Sequence, residues 1–307
     1  MSIPLENCAP KGYYFRQLRT IFMRTAFLLM FILMSCSKHQ NVLIIQNKGS
    51  DTLVNLAQAW AEEYKNISPK VAIAVSGGGS GTGIAALING TVDIANSSRA
   101  MKDEERTEAL KNNGKEVNEF VVGMDALAVF VHPKNPIEGL TIEEVACIYG
   151  EGGKCSLWSD IRGTIVPGCQ GNKIIRVSRQ SNSGTYQYFR EAILGKKRDL
   201  KLGSMDLNGS KESIDLVEKT PCAIGYSGMG YLSKSVNALC ISKYEGAKCI
   251  YPNLETAMDK SYPISRELYM YTSGAPSEEV KTYMNWIQGE EAKKITINSG
   301  YVPAPKR

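Results

Sequence analysis

The chain has 307 residues, 43% of them hydrophobic and 22% charged, which is enough apolar side chain for a large core and more than one compact small domain, so two domains are expected. Much of its formal charge of +5 lies in the first 35 residues, where Lys11, Arg16, Arg19 and Arg24 are set against Glu6; the remaining 32 basic and 30 acidic residues nearly balance, and no nucleic-acid or anionic-membrane surface is expected. Two histidines, His39 and His132, are too few for the usual Ser-His-Asp hydrolase or a His-rich metal centre.

The N-terminus reads as an export signal. Residues 26–34 form an apolar run of nine preceded by Arg24 and followed by the polar 37–40 stretch, whereas a membrane-spanning helix needs roughly 20 apolar residues. Leu33-Met34-Ser35-Cys36 resembles a bacterial lipobox, so residues 1–35 are expected to be a lipoprotein signal peptide, with Met23 an alternative start and Cys36 the lipidated residue. With Cys8 in the discarded part, six cysteines remain: Cys147, Cys155, Cys169, Cys222, Cys240 and Cys249. They contain no CxxC pair and permit three disulfides. Cys240 and Cys249 flank a hairpin-like spacing and are candidates to pair; the other four are left unpaired by the sequence.

Along the mature chain, residues 42–45 read as a buried strand and 52–65 as a helix with Leu53, Leu56, Ala57, Trp60 and Tyr64 at helical spacing. A strand at 71–75, a glycine cluster, a helix near 83–89, a strand at 92–95 and a charged helix at 103–112 follow. The scheme then repeats: strand 126–131, a helix from Thr141 with a Thr141–Glu144 capping box, a cysteine-bearing insert at 150–172, strand 174–178, helix 184–194, helix 211–219 and strand 223–226. After the segment around Cys240 and Cys249 come a strand at 267–271 and helices near 277–288 and 290–298. Such alternation predicts a largely parallel sheet with helical crossovers, an α/β fold.

Three strand-to-helix junctions carry the chemistry. They are Gly49-Ser50-Asp51-Thr52, the run from Ser76 through Ser80-Gly81-Thr82-Gly83, and Ser183-Gly184-Thr185. A helix N-terminus exposes unpaired N–H groups, glycine allows close approach to the backbone, and a hydroxyl adds a donor, so each junction suits an oxyanion. Ser, Thr and Gly are also ordinary caps, and the strength of the signal is its threefold repetition after strands. The 76–83 loop lacks the lysine of a Walker A motif and fails the GxGxxG and GxSxG patterns, which removes the nucleotide and esterase signatures. Arg179 lies at a strand end four residues before Ser183 and brings a bidentate cationic fork; Ser97 and Ser98 end another strand, and Arg99 is poised either for the site or for Asp103, Glu104 and Glu105.

Taken together, Gly-Ser-Asp-Thr at 49–52, Gly-Gly-Gly-Ser-Gly-Thr-Gly at 77–83, Val-Asp-Ile-Ala-Asn-Ser-Ser-Arg at 92–99, Arg179 with Ser183-Gly184-Thr185, and Ala-Ile-Gly-Tyr at 223–226 resemble the periplasmic phosphate-binding proteins of bacterial ABC phosphate importers, from about residue 43 to the end. The resemblance implies a class II periplasmic-binding-protein fold, two α/β lobes around a ligand cleft, with residues 41–126 plus 265–307 in lobe I, 127–264 in lobe II, and crossings near 124–128 and 262–267. It implies extracytoplasmic, lipid-anchored capture of inorganic phosphate by a monomer that delivers it to ABC permease subunits, without cofactor, metal, nucleic acid or reaction. It implies that Thr52, Ser80, Arg179, Ser183, Gly184 and Thr185 fall at the family's anion-contacting positions, with Ser98 where many members place a carboxylate or a hydroxyl; from the junctions themselves Ser50, Asp51, Gly81 and Thr82 are also expected to bind phosphate. Sulfate or molybdate binding, phosphate sensing and a secreted phosphotransfer enzyme are the competing functions.

Two departures from the family pattern bear on specificity. Ser98 and Ser181 stand where several members have aspartate, which leaves Asp51 the only acidic residue of the three strand-to-helix junctions. Asp51 is thus either the acceptor for the proton of HPO4(2−), a group that sulfate lacks, or a cap for helix 52–65.

Overall fold

The computed structural model describes residues 42–305. The expected signal peptide, with Met23, and Cys36 and His39 lie outside the described residues. No helix among those described is long and apolar enough to cross a membrane.

The first unit is β1 (Leu43–Gly49), α1 (Val54–Ile67), β2 (Val71–Ser76), α2 (Ser80–Ile88), β3 (Ile94–Ser97) and α3 (Asp103–Asn113). Apolar spacing accounts for α1, which buries Leu56, Ala57, Trp60 and Tyr64 along one face, and the Trp60 indole N–H donates to the Ala292 carbonyl at 3.1 Å. Residues 51–53 form a turn, so α1 begins two residues later than the spacing predicts. In contrast, α2 begins at Ser80 and not at 83, because the glycine run ends where the first N–H groups of the helix are needed.

The chain continues through β4 (Val117–Val131), β5 (Gly139–Thr141), α4 (Ile142–Tyr149), β6 (Ile175–Arg179), α5 (Gly184–Leu194), β7 (Met205–Leu207), α6 (Ser210–Lys219) and β8 (Ala223–Gly228). The predicted capping box closes α4: Glu144 N donates to Thr141 Oγ1 at 3.0 Å, and Thr141 N to Glu144 Oε2 at 2.8 Å. Last come β9 (Asn237–Ala238), β10 (Cys240–Ser242), α7 (Leu254–Met258), β11 (Ser265–Ser273), α8 (Glu278–Ile287), α9 (Glu290–Asn298) and β12 (Val302–Pro303).

The main sheet runs in the order β2-β1-β3-β11-β4-β8-β6-β7. Its flanks are parallel, as the alternation predicts, but β4 is antiparallel to both β11 and β8. The prediction missed the first half of β4, where Asn118, Glu119, Gly123 and Asp125 interrupt the apolar run. That half pairs with β11 up to Ala126 opposite Ser265, and the second half, from Leu127, pairs with β8. One strand thus passes from one set of partners to another. The core divides at the same place: Ile45, Trp60, Ile94, Val122, Leu268 and Tyr283 cluster together, and Leu127, Val129, Trp158, Phe189, Tyr226 and Ile264 form another cluster.

Three disulfides pair the six cysteines: Cys147–Cys155, Cys169–Cys222 and Cys240–Cys249. The last spans a short antiparallel return, Ile241 opposite Ile250, although β10 itself pairs in parallel with β5.

Candidate functional site

The three junctions and the end of β3 converge. Thr52 Oγ1 lies 2.8 Å from Thr185 Oγ1, and Ser80 Oγ lies 3.4 Å from Ser98 Oγ while accepting from Ser98 N at 3.1 Å. A Cβ on Gly184 would fall 2.2 Å from Ser80 Oγ and 2.8 Å from Ser98 Oγ, so the first turn of α5 approaches α2 and the β3 end as only glycine permits. Ser50, Thr52, Ser80, Ser98, Ser183 and Thr185 are all buried. This is a concentration of neutral donors at the turn before α1 and at the N-termini of α2 and α5, where Thr52 and Thr185, 133 residues apart in sequence, meet.

Not every predicted residue faces that point. Gly81 N donates to the Asn182 carbonyl at 2.9 Å, and Thr82 Oγ1 accepts from the Asn182 amide at 3.1 Å, so this pair seams α2 to the loop before α5. The Ser183 hydroxyl caps α5 through Tyr186 N, and Ser50 holds its place by donating its backbone N–H to the Asn96 carbonyl at 2.9 Å. Arg99 takes the alternative role open to it, forming a 2.6 Å ion pair with Glu105. Ser181 is exposed.

Arg179 is 1% exposed and bonded through all three nitrogens: Nε donates to Leu207 O at 3.3 Å, Nη1 to Ser210 Oγ at 3.0 Å, and Nη2 to Asn208 O and to Asp51 Oδ2 at 3.0 Å. Burial lowers its affinity for the proton and Asp51 counteracts this. The other oxygen of Asp51 accepts from Gly78 N at 2.9 Å. Asp51 therefore joins the glycine loop to Arg179 and does not cap α1, whose N-cap is Leu53. Tyr231 donates to the Asp51 carbonyl at 2.6 Å, with its phenol pKa pushed up to about 12, chiefly by burial.

A second arginine was not anticipated. Arg266, on β11, donates through Nε and Nη2 to Asp125 Oδ2 at 3.0 and 2.7 Å, and both side chains are buried. The same guanidinium donates to Thr52 Oγ1 at 3.3 Å, to Thr185 Oγ1 at 3.1 Å and to Ser98 O at 3.2 Å. Burial raises the Asp125 pKa against the downward pull of Arg266 and of Met229 N, which donates to Oδ1 at 3.0 Å. The sequence signal was present but slight: Asp125 is a lone charge within an apolar run, Arg266 is followed directly by Glu267, and each lies at one of the two expected crossings. His132 lies apart, accepting on Nδ1 from Lys134 N at 3.0 Å, and the described residues contain no group of side chains able to hold a metal ion. The arrangement can bind a compact, tetrahedral, multiply accepting anion; its partners are donors, and its two carboxylates are already paired.

Comparison with known proteins agrees with this chemistry. The model of the PBP superfamily domain matches residues 37–291. The phosphate-binding protein PstS of Pseudomonas aeruginosa is 35% identical over 271 residues, covering 86% of this chain and 84% of that protein, and the protein SphX of Synechococcus elongatus is 30% identical over 276 residues, covering 86% and 78%. Among solved structures, a putative phosphate ABC transporter substrate-binding protein with bound phosphate from Clostridium perfringens superposes with a TM-score of 0.75 at 27% identity, covering 85% of this chain and 100% of that one. An ABC-type phosphate transport receptor from Vibrio cholerae gives 0.66 at 28% identity, with 85% and 100% coverage.

Proposed function

We infer the working of the site from one premise: the chain belongs to the PBP superfamily, among the PstS-type phosphate-binding proteins, and has their two-lobe α/β fold. It binds inorganic phosphate and serves an ABC phosphate transporter. Residues 41–126 with 265–307 form lobe I and 127–264 lobe II; the change of partners along β4 and the division of the core support that boundary. The ligand sits where Thr52, Ser80 and Ser98 of lobe I meet Ser183, Gly184 and Thr185 of lobe II, flanked by Ser50, Gly81, Thr82 and the Asp51–Arg179 pair. The single observation that carries this reading is the meeting of the Thr52 and Thr185 hydroxyls across the lobes.

Binding is capture without reaction. The anion exchanges water for hydroxyl and backbone N–H donors that are already oriented, and the Thr52–Thr185 bond gives way to two bonds directed at ligand oxygens. Closing the lobes excludes water, which strengthens each of these contacts. Micromolar affinity requires about −8 kcal/mol net, within reach of several charge-assisted hydrogen bonds of about 1.5–3 kcal/mol each. Asp51, with one bond on each oxygen, keeps a lone pair for the proton of HPO4(2−), and sulfate has none to offer. The protein works as an extracytoplasmic monomer, held to the membrane through lipid on Cys36 and handing phosphate to permease subunits.

Isothermal titration of residues 37–307 with phosphate, sulfate and molybdate at pH 7 and 8.5 tests the assignment. Tight phosphate binding with no heat from sulfate is expected. Sulfate or molybdate bound at least as tightly would replace phosphate as the cargo, and no response to any of the three would remove the binding function.

A further inference from the structure

Arg266 offers more than a buried charge. The antiparallel register places it directly opposite Asp125, where β4 and β11 carry the chain between the lobes. Its five N–H hydrogens are all committed: two to Asp125, one to Ser98 O, one to Thr52 Oγ1 and one to Thr185 Oγ1. The guanidinium also packs on the Tyr188 ring, 5.7 Å from its centroid, which holds its plane. Arg179, in comparison, spends its bonds on Asp51, Ser210 and two carbonyls.

We propose that Arg266, oriented by Asp125, is the positioning residue of the phosphate site: it fixes the hydroxyls of Thr52 and Thr185 as donors toward the ligand and ties them together across the lobes. This rests on the phosphate-binding reading given above. Hydrogen-bond polarity dictates this orientation. Arginine can only donate, so the Thr52 and Thr185 oxygens that meet it must accept. Each hydroxyl then has one hydrogen left, and it points away from the guanidinium, to the other threonine or to a ligand oxygen. A hydroxyl free to rotate would present lone pairs to an anion as readily as its hydrogen. One so polarised presents the hydrogen, and the nearby positive charge strengthens the donation. Asp125 balances that charge while its own hydrogen bonds go to Arg266 and to Met229 N, and Gly228 leaves room for it: a Cβ there would fall 2.8 Å from Asp125 Oδ2 and 2.9 Å from Thr52 Cγ2. Arg266 also spans the joint, because Thr52 and Ser98 belong to one lobe and Thr185 to the other.

A double-mutant cycle on the full protein tests the role. Arg266→Lys keeps a cation beside Asp125 but has no fork to reach both threonines. It should retain the ligand-free melting temperature to within a few degrees while weakening phosphate at least tenfold. Thr185→Val should cost at least tenfold in the wild-type background and less than threefold in Arg266→Lys, since the hydroxyl is no longer aimed. A purely structural arginine would give the opposite: Arg266→Lys restoring affinity along with stability, or losses that multiply, and either result overturns the proposal. Should Arg266→Lys fail to fold, a crystal structure of the wild type with phosphate decides. Each threonine Oγ is expected within 3.3 Å of both Arg266 and a phosphate oxygen, as it is from Arg266 here; hydroxyls turned away from Arg266 overturn it. If the wild type binds sulfate or molybdate instead, the cargo assignment falls and the same cycle is run with that anion; if it binds none of them, both readings fall.

Discussion

Gly184→Ala separates binding from folding. Gly184 is the first residue of α5, with helical backbone, so alanine suits its conformation. The added carbon would lie 2.2 Å from Ser80 Oγ, which is 1.2 Å inside the 3.4 Å at which ordinary contact begins, and 2.8 Å from Ser98 Oγ. On the lobe boundary proposed above both oxygens belong to the opposite lobe, and the overlap is then relieved when the lobes part. The penalty falls on the closed state alone. Overpacking of this kind costs about 1–3 kcal/mol. At about 1.4 kcal/mol per factor of ten, phosphate affinity should fall between about 5-fold and about 150-fold. Calorimetric titration with phosphate reads the affinity, and thermal unfolding without ligand serves as the control, where no loss is expected. A variant that binds phosphate within twofold of wild type would refute the reasoning, because closure would then not bring α5 against Ser80. A variant melting well below wild type without ligand would refute it as well, by showing that the lobes do not part in the free protein.

Asp51→Asn keeps the shape of the side chain and replaces an anion by a neutral amide; the ratio of phosphate to sulfate affinity should fall at least tenfold, and an unchanged ratio would take the proton-acceptor role from Asp51. Cys169→Ser with Cys222→Ser opens a link between residues 53 apart, worth about 4 kcal/mol by loop-closure entropy, against about 2.6 kcal/mol for the link between Cys147 and Cys155. Denaturant unfolding should rank the two double variants in that order, and the reverse order would show that native-state contacts outweigh loop length. For Glu105, burial raises the carboxyl pKa, but the Arg99 bonds and Lys102 N pull harder, and the net shift is downward. A carboxylate depressed on folding stabilises above its unfolded pKa and loses that contribution as pH falls. Wild type should therefore lose more stability than Glu105→Gln between about pH 5 and about pH 3, around the unfolded glutamate value; parallel curves would mean that the Arg99 pair adds nothing.

Local chemistry is legible in the sequence wherever it is local in cause. Helix α5 begins at Gly184, and α4 at its Thr141–Glu144 box, because capping depends on residues three or four apart. The hydroxyl and glycine identities at the strand ends likewise reveal an oxyanion cradle, since a helix N-terminus needs no distant partner to expose its N–H groups. The Cys240–Cys249 pair, nine residues apart, was within reach for the same reason. The first half of β4 was not, because Asp125 looks like a strand breaker until Arg266 stands beside it, 141 residues on.

The pairing of charges, by contrast, is set by long-range folding. Whether Asp51 caps its own helix or crosses to Arg179, 128 residues away, depends on how two lobes close, and no periodicity records that. Nor could composition say that Arg266 meets Thr52 and Thr185 while Arg179 is held by carbonyls. The kind of ligand the strand ends can take follows from residue types alone, because their hydrogen-bonding capacity is fixed. The fold determined which way those hydroxyls face, because their direction depends on a donor brought to them by the register of two strands.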